Sequence, residues 1–459
     1  MVTGRVKRVF NVSRPDEVSA AVKEAHAEAL AGEPGPVVLH LAAEALSGTV
    51  APTSPGETAV AAAVPDDAEV AGTPGTEELA ALLLAARRPV VFAGAGAACA
   101  ASDLERLVDR LDAPLFTTPS GRGVLPEDHP LALGLDLAGG GLAALNELLA
   151  DSDLVLALGC KLAHNGTDGF RLALTEDQLV HVNSDRGALG ANYAARLAIH
   201  ARVEEVLADL LPRLDERSPA ASWTRADIAG WRARFADSEP PPPPEPRVHG
   251  LPEGSMAGLF ALLGEALPRD TVLVTDSGLH QMLARRHHTV LAPRGLLLPS
   301  DFQSMGFGLP AAIGAKLAAP ERPVVAVIGD GGLALSGMEL LTLAREQVPL
   351  VVVVFNDGYL NLIRLQQIRD HGHTHAVRLR NPDMEALAAA LGVDYALASA
   401  DLVGTVRGAL AAERPLLLEV RVGDSPDIRA LRATGTAKSL VRRAIGRRLL
   451  DRIRHLLGR

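Results

Sequence analysis

The stretches Val327-Ile-Gly-Asp-Gly-Gly332 and Val351-Val-Val-Val-Phe-Asn-Asp-Gly-Tyr359 decide the fold. Each is an apolar run that passes straight into a polar, glycine-bearing turn. Runs without polar alternation suit strands of a parallel sheet, which is covered on both faces. One strand–helix–strand unit separates Asp330 from Asp357, so both turns fall at strand carboxyl ends, where open α/β sheets form their ligand crevice. Two carboxylates there, with an amide and backbone carbonyls, suit a hard cation such as Mg²⁺ that completes its shell with phosphate oxygens. Gly331 and Gly332 let backbone N–H groups approach a phosphate. The bland alternative is an acidic, glycine-rich turn that caps an unliganded sheet.

Outward from these turns the pattern repeats. Strands expected at 271–275, 323–328, 350–355 and 415–422 alternate with helices at 256–266, 306–319, 337–345 and 383–391, which marks residues 251–425 as one doubly wound α/β domain. Residues 76–213 alternate in the same way and form a second. A Pro-rich linker, 214–250, joins them, and a Pro/Ala/Gly/Thr-rich linker, 48–75, precedes both. Residues 1–47 read as a polar opening, one helix and one strand at 37–41, too little to bury a core alone. Residues 426–459 form a basic amphipathic tail suited to docking an acidic partner subunit.

The 459-residue chain is 48% apolar and 22% charged, which excludes a disordered or collagen-like protein. A net charge of -10 argues against general nucleic-acid binding. Two cysteines, Cys99 and Cys160, imply no disulfide framework and read as buried structural thiols. No apolar signal core and no membrane span is visible, so a cytoplasmic enzyme is expected.

Val274-Thr-Asp-Ser-Gly-Leu-His-Gln281, Phe302-Gln-Ser-Met-Gly-Phe-Gly-Leu-Pro310, Gly329-Asp-Gly331 and Asn356-Asp357, in this order, resemble the diphosphate-binding domain of thiamine-diphosphate enzymes. The branch is that of acetohydroxyacid synthase, glyoxylate carboligase and 2-oxo-acid decarboxylases. Residues 76–213 resemble the family's central domain through Arg87-Arg-Pro-Val-Val-Phe-Ala-Gly94 and Gly121-Arg-Gly-Val-Leu-Pro126. The resemblance implies thiamine diphosphate and Mg²⁺ as cofactors, with Asp330, Asp357 and the Tyr359 carbonyl as metal ligands. Asn356 is an alternative ligand, and the family usually has Asn where Asp357 stands. It also implies that Ser277, Gly278, Leu279 and His280 face the diphosphate and that Met305 props the bent cofactor. Gln303, Ser304, Gly329, Gly331, Gly332 and Leu360 complete the implied cofactor contacts. The reaction implied is decarboxylation or carboligation of a 2-oxo acid.

The family's chemistry also uses a Glu on a pyrimidine-binding domain. Residues 8–47 resemble only the last helix and strand of that domain, so the Glu is expected from a separate small subunit in a hetero-oligomer with dimerised large subunits. No residue here is expected to play that catalytic part. The rival reading is a non-catalytic, cofactor- or nucleotide-binding regulatory subunit. Two lesser motifs remain. Gly94-Ala-Gly-Ala-Ala-Cys99 approximates a dinucleotide turn, and family relatives bind FAD or ADP in this domain, but a plain tight turn is the favoured reading. His371-Gly-His-Thr-His375 has alternate histidines that could bind zinc, although a polar loop is favoured.

Overall fold

The computed structural model describes residues 6–32, 34–47, 73–134, 141–216, 218–220, 223–238, 245–300 and 302–424, with residues 428, 429, 432, 433 and 436. Three parallel sheets carry the fold. In the first, β1 (Arg8–Val12) pairs with β2 (Val37–Leu41) across the helix Val18–Leu30. Arg8–Val12 are therefore a strand, where the sequence reading has a polar stretch. Phe10 and Val12 are buried while Arg8 and Asn11 are exposed, a two-residue alternation too short to stand out in the sequence.

The second sheet has the order β4-β3-β5-β6-β7. It contains β3 (Pro89–Ala93), β4 (Leu115–Thr117), β5 (Leu154–Leu158), β6 (Leu179–Asn183) and β7 (Leu197–His200). Every residue of β3 and β5 is buried, as expected for strands covered on both faces. The short, alternating β7 was not expected. Nor was the helix Arg225–Ser238, which occupies much of the segment read as a linker. Ile228, Trp231 and Phe235 recur at helical spacing and are buried in the core of this sheet. Trp223 anchors the entry by donating its indole N–H to the Pro89 carbonyl at 2.8 Å. The neighbouring proline run, residues 240–244, lies outside the described residues, as do linker residues 48–72 and most of the basic tail.

The third sheet has the order β12-β13-β11-β10-β8-β9. Its strands are β8 (Val272–Thr275), β9 (Leu296–Leu297), β10 (Val324–Gly329), β11 (Val351–Asn356), β12 (Asp394–Leu397) and β13 (Leu416–Arg421). Alternate residues feed two separate cores: Val325, Val327, Val351 and Val353 on one face, Val324, Ala326, Ile328 and Val352 on the other. From β8 the chain runs outward to β9, and from β10 it runs the opposite way to β11. The gap between the carboxyl ends of β8 and β10 is thus the topological switch point.

A buried latch joins the second and third sheets. Arg122 is 7% exposed and pairs with Glu127 at 2.5 Å. The same guanidinium donates to the carbonyls of Arg285 and His288, at 2.7 and 2.6 Å. Glu127 accepts from the Val290 N–H at 2.7 Å. Among the described residues no helix is long and apolar enough to cross a membrane.

Candidate cofactor site

The switch point opens into a cleft of about 620 Å³. Its walls are the turns after β8, β10 and β11, together with Met305. Register places Gly329 beside Phe355, so the two acidic turns are neighbours. Asp330 is buried; its Oδ1 accepts from Gly331 N at 2.8 Å, and its Oδ2 from Gly358 N at 2.7 Å and Asn381 Nδ2 at 2.6 Å. Asp357 accepts from Tyr359 N and from Asn361 Nδ2, both at 2.9 Å. Burial raises the pKa of Asp330. Burial first, and then the charge of Asp330, push Asp357 up to about 7. Two carboxylates held this close are at odds with one another until a cation joins them.

Other features of the cleft also fit a diphosphate and its cation. His280 is 6% exposed, hydrogen-bonds the Asp276 carbonyl and leaves Nε2 without a partner. Burial lowers its pKa to about 4, so Nε2 is a bare, buried nitrogen that an anion can complete by drawing a proton onto it. A Cβ on Gly331 would lie 2.9 Å from both Met305 Cε and Leu360 Cδ2, so a side chain there would push both tips aside within the cleft. Met305 is 38% exposed, unlike an ordinary core methionine.

The structure brings Ser277, Gly278, His280, Met305, Gly329, Asp330, Gly331, Gly332, Asp357, Tyr359 and Leu360 to this cleft. Leu279 also borders it but packs into the core beneath. Gln303 and Ser304 are exposed and do not line it. Asn356 turns away: its Nδ2 donates to Glu419 at 2.8 Å, and its Oδ1 accepts from Asn381 at 2.7 Å.

Three further residues escaped the sequence reading. Asn361 and Asn381 hold the two carboxylates; Asn381 follows no motif, and Asn361 stands in the stretch 356–364 that resembles the carboligases but carries no expected role. Asp276 is fully buried and accepts from Ser277 N and Gly306 N at 2.6 and 2.9 Å, tying the turn after β8 to the loop that carries Met305. It stands inside a quoted motif, yet its role appears only when residues 276 and 306 meet.

Elsewhere the lesser motifs resolve. A Cβ on Gly94 would lie 2.4 Å from the Gly159 carbonyl, and one on Gly159 would lie 2.6 Å from Gly96. These glycines are required by two strand-end turns that pack backbone to backbone. Cys160 is buried, and burial pushes its thiol up to about 12. Cys99 is exposed, which corrects the buried reading; Arg294 approaches its Sγ at 3.1 Å. Among the described residues no group of three His, Cys, Asp or Glu side chains gathers as a metal cluster; His371 ends the helix Asn361–His371, and His373 and His375 lie exposed on the loop that follows.

The family description "Thiamine pyrophosphate enzyme, C-terminal TPP binding domain" matches residues 276–420, which contain every turn of the cleft. The companion "Thiamine pyrophosphate enzyme, central domain" matches residues 76–210. The chain belongs to the thiamine-pyrophosphate enzyme family. The cofactor of this family is thiamine diphosphate, with Mg²⁺ as its usual companion ion. Relatives include a "probable acetolactate synthase large subunit" of Methanocaldococcus jannaschii, 29% identical over 90% of this chain and 71% of its own length. A "probable 2-ketoarginine decarboxylase" of Pseudomonas aeruginosa is 33% identical over 82% of this chain and 65% of its own. The "acetolactate synthase isozyme 1 large subunit" of Escherichia coli is 30% identical, over 79% and 62%. The chain thus spans about two thirds of the length of these thiamine-pyrophosphate enzyme relatives.

Proposed function

We propose that this chain is the diphosphate-binding large subunit of a cytoplasmic, acetolactate-synthase-like enzyme that decarboxylates or ligates a 2-oxo acid. The pair of carboxylates at adjacent strand ends, Asp330 buried and Asp357 part-buried, carries the reading. Asp330, Asp357 and the Tyr359 carbonyl hold Mg²⁺. Ser277, Gly278 and His280 bind the diphosphate that the cation neutralises. Met305 fills the bend of the cofactor with a flexible, polarizable side chain. When bound, thiamine diphosphate supplies the electron sink for breaking or making a carbon–carbon bond beside a carbonyl. The residues of this chain bind and orient it, and a partner's pyrimidine-binding domain supplies the proton-relay Glu.

That partner docks where the cleft is rimmed by exposed apolar side chains. Phe302, close before Met305 in sequence, is 91% exposed; Leu335, beside Gly306, and Met338 are each 65% exposed. The two-stranded N-terminal sheet extends the partner's own sheet.

Calorimetry and turnover test the proposal together. Purified chain binds thiamine diphosphate only with Mg²⁺, and Asp330→Ala abolishes that binding without loss of fold. Pyruvate or another 2-oxo acid is consumed only after a pyrimidine-domain protein is added. Turnover by the single chain overturns the partner assignment. Unchanged cofactor affinity in Asp330→Ala overturns the metal assignment.

A further inference from the structure

Behind the cleft a polar chain runs across three strands to the edge of the sheet, and no step above uses its far end. Glu419, on β13, is 3% exposed, and such a buried carboxylate needs a reason. Its Oε2 accepts from the Tyr395 hydroxyl at 2.6 Å, and its Oε1 from Asn356 Nδ2 at 2.8 Å and Arg421 Nε at 3.1 Å. An ionised carboxylate only accepts, so it dictates which end of the Asn356 amide faces it. The Asn356 carbonyl must then face Asn381, which meets it with Nδ2 at 2.7 Å. The same Nδ2 reaches Asp330 Oδ2 at 2.6 Å. The donor–acceptor sense set at Glu419 is therefore transmitted through two amides to one oxygen of Asp330.

We propose that Glu419, Asn356 and Asn381 form a positioning relay that presents Asp330 to its cation, an inference that rests on Asp330 being a ligand. None of the three touches the metal. With Glu419 removed, the Asn356 amide is free to turn its NH₂ toward Asn381, and two donors then face each other. Asn381 swings away, and Asp330 keeps only its backbone partners. Groups that orient a ligand from behind typically change metal affinity by about 10–100-fold when lost. Tyr395 and Arg421 complete the acceptor capacity of Glu419 and hold it in place.

The test uses the full chain with thiamine diphosphate and Mn²⁺ as the probe, bound manganese being read by electron paramagnetic resonance. Asn381→Ala and Glu419→Leu each weaken Mn²⁺ binding by about 10–100-fold. The double variant is no weaker than the worse single, because both cut one path. Glu419→Gln, which still offers Asn356 an acceptor, stays within about threefold of the parent. A merely structural Glu419 would lower the melting temperature and leave the affinity of the folded protein alone. Two results overturn the relay while leaving the ligand reading intact: Asn381→Ala binding Mn²⁺ like the parent while Asp330→Ala loses it, or losses that multiply in the double variant. Unchanged binding in Asp330→Ala overturns the ligand reading and the relay with it. If Glu419→Leu does not fold, Asn381→Ala alone decides, since residue 381 is a part-exposed loop position.

Discussion

Asp357 stands where the family usually has Asn, and its pKa of about 7 against an ordinary 3.8 makes that carboxylate a burden on the metal-free protein. With the folded-state pKa above the unfolded one, stability is full below about pH 4 and is lost as pH rises to about 7. Asn cannot ionise and escapes this loss. Asp357→Asn is therefore expected to stabilise the chelator-treated protein by about 2–4 kcal/mol at pH 8 and hardly at all at pH 4. Buried His280 and His288, both lowered to about 4, trend the opposite way, losing stability as pH falls below about 6.5. Taking the difference between parent and variant cancels them. Denaturant midpoints at the two pH values check the prediction, and equal shifts at both would remove the buried-charge explanation. Asp330 and Asp357 were legible in the sequence because each ends an apolar strand, whereas Asn381 was not, because nothing in its neighbourhood marks it.

Among the elements, the short helix Asp330–Ser336 after β10 is limited by what it must approach. A Cβ on Gly332 would lie 2.4 Å from Asp276 Oδ2, the oxygen that holds the Gly306 N–H. Gly332→Ala is expected to cost about 1–3 kcal/mol as overpacking and to displace the Met305 loop. Gly331→Ala meets only the movable tips of Met305 and Leu360. It should leave the melting temperature nearly unchanged while weakening thiamine diphosphate binding. Thermal melts and calorimetric titrations of the two variants separate these effects, and identical behaviour would contradict the contact geometry. β10 and β11 were readable because both are buried throughout their apolar length. The pairing of β1 with β2 was not, since its alternation spans five residues and its meaning depends on a partner strand.

For the molecule as a whole, the Arg122–Glu127 latch couples the central sheet to the cofactor sheet. Gly123 beside it has φ +83°, and a Cβ there would lie 2.2 Å from the Ala292 carbonyl, so the two backbones meet without a side chain between them. Arg122→Ala leaves Glu127, whose side chain is 13% exposed, without its cation, a loss bounded above by the roughly 3–5 kcal/mol typical of a fully buried pair. Scanning calorimetry should show a lowered melting transition that separates into two, one for each sheet; a single transition at the parent temperature would mean that the latch carries no coupling. We place the boundary between the two units after the helix Arg225–Ser238, because that helix packs on the central core.

The sequence by itself determined the parallel α/β class, the two acidic turns and the resemblance that they carry. Apolar runs ending in glycine-rich turns are local signals, and local physics suffices to read them. Only the tertiary structure decided that Asn356 faces away from the cleft, that Cys99 is exposed, and that a helix fills much of the Pro-rich segment. It alone joined Glu419 to Asn381 through Asn356 and tied Asp276 to the loop that carries Met305. Those outcomes depend on which residues distant in the chain become neighbours, and a buried polar group shows its role only through the partner that satisfies it.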